Sequence, residues 1–336
     1  MMSVQDKSIM GSTDELSNLA APLWSVMIPT YEANELFLKE TLDSVLAQDP
    51  GPAQMQIEVI DDCSPSSPPT EIVRRIAGER VQVHREPQNL GLARVWNKCI
   101  ERARGTYIHI LHQDDLVYPG FYEAIGKGFQ MHPEAGAAFC RHSFCDEHGH
   151  WRHMSRLEMA KPGLLPGALE ILATRECIQC ASIVIKRSTY SQIGGFSTEL
   201  KHALDWEMWI RIANAFPIFY EPRILASWRK HKSATTTRQI HNGENTADMT
   251  KAIAIWSRYL PSQDAQRLST IARKDNARGA LHLAEVVARE GNKDGYRHHI
   301  ASALECDSSW EIRRKAMSLR LKFLVRPFVR WVLGRR

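Results

Sequence analysis

The feature that most constrains the fold of this chain is an alternation of short apolar runs and amphipathic segments between residues 24 and 111. The apolar runs have strand length, the amphipathic segments carry apolar residues at helical spacing, and the connections are short. Predicted strands cover 24–28, 56–60, 81–84 and 106–111, and predicted helices cover 36–48, 70–77 and 92–103. This alternation predicts an α/β fold with a Rossmann-like, mostly parallel sheet and helices on both faces.

Beyond residue 135 the alternation is looser. Strands are predicted at 136–140 and 181–186, helices near 188–193 and at 205–216, and helical structure from about 245 to 312. We therefore predict four parts: a flexible leader (1–22), a main α/β domain (23–240), a C-terminal helical appendage (241–312) and a basic amphipathic tail (313–336).

Composition limits the compartment. No run approaches the roughly 20 apolar residues that span a bilayer, and the first residues are polar and acidic where a signal peptide has its apolar core. The seven cysteines are odd in number and scattered, which suits a reducing compartment better than a disulfide framework. We expect the main body of the protein in the cytoplasm.

The net charge of +5 is concentrated in the tail, where nine Lys/Arg and no Asp/Glu follow from Arg313. A single basic tail favours a local anionic partner and argues against nucleic-acid binding, which needs basic stripes on the main domain. Apolar residues recur in the tail at helical spacing: Met317, Leu321, Leu324, Phe328 and Trp331. The tail either lies on an anionic membrane surface or docks on its own domain as a helix broken at Pro327.

Polar side chains follow three of the predicted strands. Ligands of such sheets bind at the carboxyl ends of the strands, beside the point where strand order reverses. The three groups are Pro29, Thr30, Tyr31 and Glu32; then Asp61, Asp62, Cys63 and Ser64; then His112, Gln113, Asp114 and Asp115. Their common position predicts one binding site.

Asp114 and Asp115 have two interpretations. Adjacent carboxylates at a strand end suit Mg²⁺ or Mn²⁺, which take oxygen ligands and keep positions open for phosphates. Either residue would also serve as N-cap of a helix that starts after Pro119. Asp61 and Asp62 end a second strand on the same rim, and this many carboxylates repel one another unless a cation or hydrogen-bond donors offset them. The neighbours therefore favour a metal.

Several other residues remain open between a nucleotide contact and a structural role. Asp62 can accept a hydrogen bond from a pyrimidine N–H or stabilise a turn, and Tyr31 can stack on a base or lie in the core. Asn89, Arg94 and Asn97 surround the start of a helix whose N-terminus favours a diphosphate. Neither G-x-G-x-x-G nor a P-loop occurs, which argues against hydride transfer and ATP hydrolysis.

Three features lie further along the chain. Asp205 opens a predicted helix, as an N-cap or as a catalytic base. His231 by itself is simplest as a surface residue. Cys177 and Cys180 form a lone C-x-x-C, best interpreted as two small residues beside a strand.

Six motifs in this order resemble the family 2 glycosyltransferases with a GT-A fold, of the type that acts in bacterial polysaccharide and lipid-linked glycan biosynthesis. They are VMIPTYE, VIDDCS, NLGLARVWNKCIERARGTYIHILHQDDLVYP, SIVIKRSTYSQIGGF, ALDWEMWIRIA and SWRKHKSAT. The resemblance spans roughly residues 24–237 and covers neither the leader nor the helical end. It implies that 23–240 is a catalytic domain that moves a sugar from a nucleoside diphosphate sugar to a hydroxyl of a glycan or lipid-linked glycan.

The resemblance also implies roles for individual residues. Pro29, Thr30, Tyr31, Glu32 and Asp62, with Asp61 beside them, match the positions that hold the base and ribose. Asp114 and Asp115 match the acidic motif that meets the ribose and the metal on the diphosphate, and His231 the histidine that completes the metal site. Gly194 and Gly195 match the glycine loop near donor and acceptor, and Asp205 matches the base.

Four positions depart from the family pattern. His112 replaces a frequent aspartate, Leu204 a glutamate that often precedes the base, Trp96 a frequent arginine and Cys63 a usual glycine. His112 is therefore assigned to shaping the site, and Leu204 removes a second carboxylate that would help to bind the acceptor.

The resulting hypothesis is a metal-dependent (Mn²⁺ or Mg²⁺), inverting glycosyltransferase with Asp205 as base. UDP is the favoured nucleotide, with dTDP and GDP open. One alternative is a non-catalytic scaffold that binds a partner through its helical end. A sugar-phosphate nucleotidyltransferase would need a glycine-rich basic loop after the first strand, where PTYEANE has neither glycine nor a basic residue.

Overall fold

The computed structural model describes residues 21–231 and 235–333. The predicted leader, except for residues 21 and 22, and residues 232–234 of the last motif lie outside these ranges. The strands are β1 (Trp24–Thr30), β2 (Met55–Asp61), β3 (Gln82–Arg85), β4 (Tyr107–Ile110), β5 (Leu116–Val117), β6 (Ala137–Cys145), β7 (Trp151–Met154), β8 (Gly163–Leu164), β9 (Ile183–Lys186) and β10 (Ile218–Arg229). The helices are α1 (Glu35–Leu46), α2 (Thr70–Ala77), α3 (Leu92–Arg102), α4 (Phe121–Met131), α5 (Ala168–Thr174), α6 (Arg187–Ile193), α7 (Leu204–Ala215), α8 (Thr235–Asn242), α9 (Glu244–Trp256), α10 (Ser262–Arg289), α11 (Lys293–Cys306) and α12 (Trp310–Leu333).

All ten strands join one sheet in the order β3-β2-β1-β4-β9-β6-β10-β5, with β7 on β6 and β8 on β10. The first four strands in this order are parallel, as predicted. The other half is mixed, because β9 pairs antiparallel with both β4 and β6 while β6 and β10 are parallel. Strand order reverses at β1, which has β2 on one side and β4 on the other, so the carboxyl ends of β1 and β4 border the expected ligand crevice.

Helices cover both faces, as predicted. Successive side chains of a strand point to opposite faces, so Val26 and Ile28 of β1 enter the core beneath α1 and α4. Met27, between them, enters the second core with α3, α5 and α7. The C-terminal helices continue this second core, and Trp256 of α9 packs edge-on against Trp206 of α7 with ring centroids 6.0 Å apart. The C-terminal helices therefore lie against the element that carries Asp205.

The longest strand, β10, has no counterpart in the predicted elements. Its alternation of apolar and polar residues is interrupted near Pro222, where the register against β6 shifts between Glu221 and Ile224. A bulge of this kind breaks the regular period by which a strand is found in a sequence. β10 nevertheless matters to the site, because its end carries Arg229 and leads directly to His231.

The predicted break in the tail at Pro327 is wrong, since the backbone of α12 stays helical to Leu333. A proline removes one helical hydrogen bond and kinks a helix without necessarily ending it. The first part of α12 is docked: Ile312, Ala316 and Leu319 are buried, and Phe323 stacks on Tyr296 at 4.6 Å. Within the described residues, no helix combines the length and the apolar character that crossing a bilayer requires.

Candidate active site

The three polar strand ends meet, as the sequence predicts. Parallel register places Thr30 of β1 beside Asp61 of β2, and Met27 beside Ile110 of β4. Gln113, which follows β4, closes the group: its side-chain amide donates to the Tyr31 carbonyl at 3.2 Å and its oxygen accepts from the Tyr31 N–H at 2.9 Å. The segment that carries Asp114 and Asp115 is thereby held against the end of β1.

The carboxylates of Asp61 and Glu32 bind other groups of the protein at this edge of the sheet. The buried Asp61 carboxylate pairs with Arg85 at 2.5 Å and accepts from the Ser64 hydroxyl at 2.6 Å. Glu32, in left-handed conformation (φ 48°), accepts from the Ser66 N–H at 2.8 Å, and this bond lowers the pKa of its carboxyl. Both residues shape the loop after β2, and their contact with a nucleotide remains a prediction.

Asp62 connects the end of β2 to the loop before α3. Its two carboxylate oxygens accept from the N–H groups of Leu90 at 2.6 Å and Gly91 at 3.0 Å, and the Asn89 side chain donates to its carbonyl at 3.1 Å. Burial is the largest influence on the Asp62 carboxyl and raises its pKa. The local turn role predicted for Asp62 is taken by Asp61, which accepts from the Ser64 N–H at 3.1 Å, whereas Asp62 holds the loop before α3 and places Asn89 at the rim.

Tyr31, Arg94 and the strand end at Pro29 and Thr30 border the same rim. The Tyr31 side chain is 48% exposed, so the interpretation of it as a core residue is wrong. Arg94 is exposed on the first turn of α3. Pro29 and Thr30 are buried, with the Thr30 hydroxyl near the Ile60 carbonyl. An exposed ring beside a buried strand end leaves room for stacking on a flat ligand.

Asp115 is the most enclosed acidic group of the site. It is fully buried; Oδ1 accepts from the Arg229 N–H at 2.9 Å, and its carbonyl accepts from the Thr41 hydroxyl at 2.8 Å. Oδ2 is buried and has no hydrogen-bond partner among the described residues. Burial is the chief cause of the raised pKa of this carboxyl. A buried carboxylate oxygen without a donor is the kind of atom that a cation stabilises.

Asp114 is paired with the histidine at the end of the α/β region. His231 Nε2 lies 2.7 Å from Asp114 Oδ2, and the Arg229 guanidinium donates to the Asp114 carbonyl at 3.0 Å. The His231 side chain is only 10% exposed, so the interpretation of it as a surface residue is wrong. The capping interpretation of Asp114 and Asp115 is also wrong, because α4 begins at Phe121 with Gly120 as N-cap and no capping side chain.

Donor atoms suitable for a divalent metal converge here. One atom each from His112, Asp114 and Asp115 lie within 4.8 Å of one another. Carboxylate oxygens suit Mg²⁺ and Mn²⁺, and imidazole nitrogen suits Mn²⁺ and later transition metals better than Mg²⁺. The unpartnered Oδ2 of Asp115 and this donor set fit a divalent cation.

Asp205 lies near this cluster, in the first turn of α7. The N-cap of α7 is Ala203, so the N-cap interpretation of Asp205 is wrong; its Oδ1 accepts from the Trp206 N–H at 2.8 Å. Desolvation, and then the negative charge of Glu176, raise the pKa of the half-buried Asp205 carboxyl to about 7, whereas His112 acts in the opposite direction. A carboxyl with this pKa is suited to general base catalysis near neutral pH.

Glu176 is a site residue that the sequence did not reveal. It belongs to the loop between α5 and the 3₁₀ turn at Cys180–Ser182, almost thirty positions before Asp205. Its charge raises the pKa of Asp205 and so brings a second carboxylate near that residue, although Leu204 occupies the position where relatives often carry a glutamate. The sequence around Asp205 gives no sign of Glu176, because the two residues are far apart in the chain and become neighbours only in the folded protein.

The glycine loop before α7 is held by Asn97. The Asn97 amide donates to the Phe196 carbonyl at 2.9 Å and accepts from the Phe196 N–H at 2.7 Å. Gly194 has φ +83°, and a Cβ on Gly195 would lie 2.3 Å from Asn97 Oδ1. Arg211 of α7 donates to the Gly195 carbonyl at 2.9 Å. Asn97 therefore fixes the loop that leads to Asp205.

The segment just before Asp205 is anchored by the C-terminal helices. The Asp248 carboxylate of α9 accepts from three consecutive N–H groups at 2.7–3.0 Å, those of Lys201, His202 and Ala203. Gln239 of α8 contacts the His202 ring at 2.9 Å. The region outside the six motifs thus helps to place α7.

Arg229 is a second residue that sequence reasoning missed. It is 2% exposed, lies over the Phe37 ring at 4.6 Å and pairs with Glu40. Its N–H and guanidinium hold Asp115 and Asp114, as described above. It lies two positions before His231 in the last motif, and this position was the one sign in the sequence that Arg229 belongs to the site.

Two smaller features agree with the sequence. Cys63 has φ 60°, a conformation that favours glycine, which explains why glycine is usual at this position. Cys177 and Cys180 are free thiols, partly and fully buried, as expected for two small residues beside a strand.

The chain is similar to known proteins in sequence and in fold. The family described as Glycosyl transferase family 2 matches residues 25–194, half of the chain. An uncharacterized glycosyltransferase of Rickettsia typhi is 24% identical over 283 residues, which cover 83% of this chain and 83% of that protein.

Two solved structures show the fold. TarS from S. aureus in complex with UDP-GlcNAc has a TM-score of 0.60 and 16% identity, covering 90% of this chain and 80% of that chain. The mannosyltransferase PcManGT from Pyrobaculum calidifontis, in complex with GDP-Man and Mn²⁺, has a TM-score of 0.57 and 18% identity, covering 91% and 88%. With the family match, they confirm that the chain is a glycosyltransferase of family 2 with a GT-A fold.

Proposed function

We propose that the protein is an inverting, metal-dependent glycosyltransferase that moves a sugar from a nucleoside diphosphate sugar to a hydroxyl of a glycan or lipid-linked glycan. The observation that carries the proposal is the position of Asp205, a carboxyl with a pKa of about 7, beside the acidic strand end that contains Asp115. UDP is the favoured nucleotide, a choice supported by the neighbour solved with UDP-GlcNAc; GDP is the alternative that the second neighbour supports.

The donor would occupy the crevice at the ends of β1 and β4. Tyr31 offers an exposed ring for the base, and Asp62 and Thr30 border the same edge. Asp114 and Asp115 would hold a divalent ion, with His231 in contact with Asp114. Bound there, the ion would neutralise charge that develops on the diphosphate leaving group.

Asp205 would accept the proton of the acceptor hydroxyl as that oxygen attacks the anomeric carbon from the face opposite the diphosphate. The transition state would resemble the oxocarbenium ion of glycoside hydrolysis, with a sugar hydroxyl in place of water. Glu176 would keep the pKa of Asp205 high and so make it a better base once it is ionised.

The proposal is tested by metal-dependent release of UDP, dTDP or GDP from a panel of nucleotide sugars. We expect slow hydrolysis of one donor with Mn²⁺ and none with excess chelator. A thermal-shift screen of the same panel identifies the donor first, because a ligand that binds only the native state raises Tm. No donor binding and no hydrolysis across the panel would favour a non-catalytic scaffold.

The pH dependence of transfer follows from the raised pKa of Asp205. The base acts only when ionised, so kcat/KM for the acceptor should rise with pH through about 7 and level off above it. Substitution of Glu176 by glutamine removes the nearby negative charge and should move this limb to lower pH. A profile that is flat from pH 5 to 8 in the wild type would contradict the assignment of Asp205.

The tail gives a separate prediction about location. Met317 and Leu321 are 60% and 57% exposed on α12, among exposed Lys and Arg side chains, so we propose that this face lies on an anionic surface on the cytoplasmic side of the membrane. The double substitution Met317→Glu and Leu321→Glu should lower sedimentation with vesicles that contain phosphatidylglycerol by about tenfold. Met131→Glu, at an equally exposed site on α4, is the control. Equal binding by all three proteins would rule out the proposed membrane contact.

A further inference from the structure

Two of the positions that depart from the family pattern are in contact. His112 replaces a frequent aspartate and Trp96 a frequent arginine, and in the structure their rings stack with centroids 4.8 Å apart and an interplanar angle of 29°. Trp96 is 2% exposed and belongs to the core between α3 and the sheet. This stack on a buried ring holds the plane of the His112 imidazole.

One nitrogen of this ring makes only a long contact with Asp115, and the other has no hydrogen-bond partner among the described residues. Nδ1 lies 3.6 Å from Asp115 Oδ2, beyond hydrogen-bond length. Nε2 is buried and, in the part of the chain that the structure describes, has no hydrogen-bond partner; the same holds for Asp115 Oδ2. Each buried polar atom without a partner costs free energy, so His112 Nε2 and Asp115 Oδ2 each indicate a missing partner. A cation held among His112, Asp114 and Asp115 would supply one.

We propose that His112 is a nitrogen ligand of the catalytic metal, together with Asp115 and Asp114, and that it makes the site select Mn²⁺ over Mg²⁺. The inference rests on the proposed function, since it concerns the same metal. Mg²⁺ takes oxygen ligands in near-ideal octahedral geometry. Mn²⁺ also favours oxygen ligands but, as a first-row transition metal, tolerates an imidazole nitrogen better than Mg²⁺ does. An aspartate at position 112 would supply only oxygen, so the histidine is the residue that determines the preference.

His231 is the competing nitrogen ligand. Its Nε2 lies 2.7 Å from Asp114 Oδ2, so in this arrangement it orients a ligand carboxylate, a common role for a partner in the outer shell of a metal site. The three atoms that lie within 4.8 Å of one another come from His112, Asp114 and Asp115. Direct binding of the ion by His112 and direct binding by His231 are therefore two distinct hypotheses.

Pulsed EPR of the full chain with Mn²⁺ and UDP distinguishes them, because a directly bound imidazole gives a nitrogen coupling on the Mn²⁺ signal. We expect the coupling in the wild type, in His231→Ala and in the control His132→Ala, and its loss in His112→Phe, which keeps an aromatic ring against Trp96. Loss in His231→Ala with retention in His112→Phe would overturn the proposal. So would bound Mn²⁺ without any nitrogen coupling, which would leave His112 and Asp115 as an ordinary ion pair.

Metal affinity gives a second readout. Loss of an outer-shell partner already weakens metal binding by about 10–100-fold, so His112→Phe should weaken Mn²⁺ binding at least tenfold. His112→Asp should retain metal binding but lower the Mn²⁺/Mg²⁺ affinity ratio by about tenfold; an unchanged ratio would refute the selectivity. Nitrogen-coupled Mn²⁺ in a protein that hydrolyses no nucleotide sugar would uphold this inference and reject the proposed function, so the two fail separately.

Discussion

Replacement of Asp205 by asparagine is expected to reduce kcat for sugar transfer by about 10²–10⁴-fold, the contribution of a positioned general base. Asparagine has the same shape and its oxygen still accepts from the Trp206 N–H, so α7 and the donor crevice should keep their structure. KM for the nucleotide sugar should be nearly unchanged, because the donor is held at the ends of β1 and β4. Steady-state kinetics with saturating Mn²⁺ measure both constants.

The matched control is Glu199→Gln, a carboxylate in the loop before α7 that is 65% exposed and paired with Lys251 on the surface. It should transfer sugar at the wild-type rate. Wild-type turnover by the Asp205 variant would show that another group accepts the proton, and Glu176 would then be the first residue to replace. A variant that instead loses donor binding would place Asp205 in the donor site.

The same substitution has a predictable effect on stability. The folded state raises the pKa of Asp205, so the contribution of this carboxyl to stability is fully present below about pH 4 and is lost as pH rises through about 7. Asp205→Asn should therefore have a higher Tm than the wild type at pH 8 and the same Tm near pH 4. A change of about 1 kcal/mol corresponds to about 2–4 °C in a domain of 150–250 residues, which thermal denaturation resolves.

The elements that sequence reasoning found are those whose pattern is local. β1, β2 and β4 are short, mostly apolar segments rich in strand-forming residues, and α7 has an amphipathic period, so each could be placed from its own residues. The position of β9 between β4 and β6 could not, because strand pairing joins residues far apart in the chain and leaves no local mark. β10 was missed for a different reason, the bulge near Pro222 that interrupts its alternation.

The site shows the same division. The types and order of Asp114, Asp115, Asp205 and His231 could be recognised, since each stands in a motif at an element end. The partners of these residues could not, because Arg229 reaches Asp115 across 114 positions of sequence.

For several other predicted residues the structure gives a partner within the protein. Asp61 pairs with Arg85, and Asn97 with the backbone of Phe196. A residue's place in a motif thus shows that it lies near the site. Whether its side chain bonds to the protein or faces the crevice can be told only from the structure.

Replacement of Asp115 by asparagine should have an effect as large as that at Asp205, by a different route. The amide oxygen can keep the hydrogen bond from the Arg229 N–H, while the charge opposite His112 is lost. Metal stabilisation of a leaving group is worth several kcal/mol, and each 1.36 kcal/mol is tenfold in rate, so turnover should fall by about 10³-fold or more. The rise in Tm that Mn²⁺ and UDP produce in the wild type should also disappear.

Asp61→Asn is the control for Asp115→Asn. Asp61 is as deeply buried on the same rim, but its carboxylate forms an ion pair with Arg85. Loss of that pair should lower the Tm of the metal-free protein, whereas the further rise on addition of Mn²⁺ and UDP should remain. For Asp115→Asn the metal-free Tm should be equal to or above that of the wild type, since burial disfavours the charged form of this carboxyl. If Mn²⁺ and UDP still raised the Tm of the Asp115 variant, or no longer raised that of the Asp61 variant, the metal site would have to be assigned to the end of β2 and not to the end of β4.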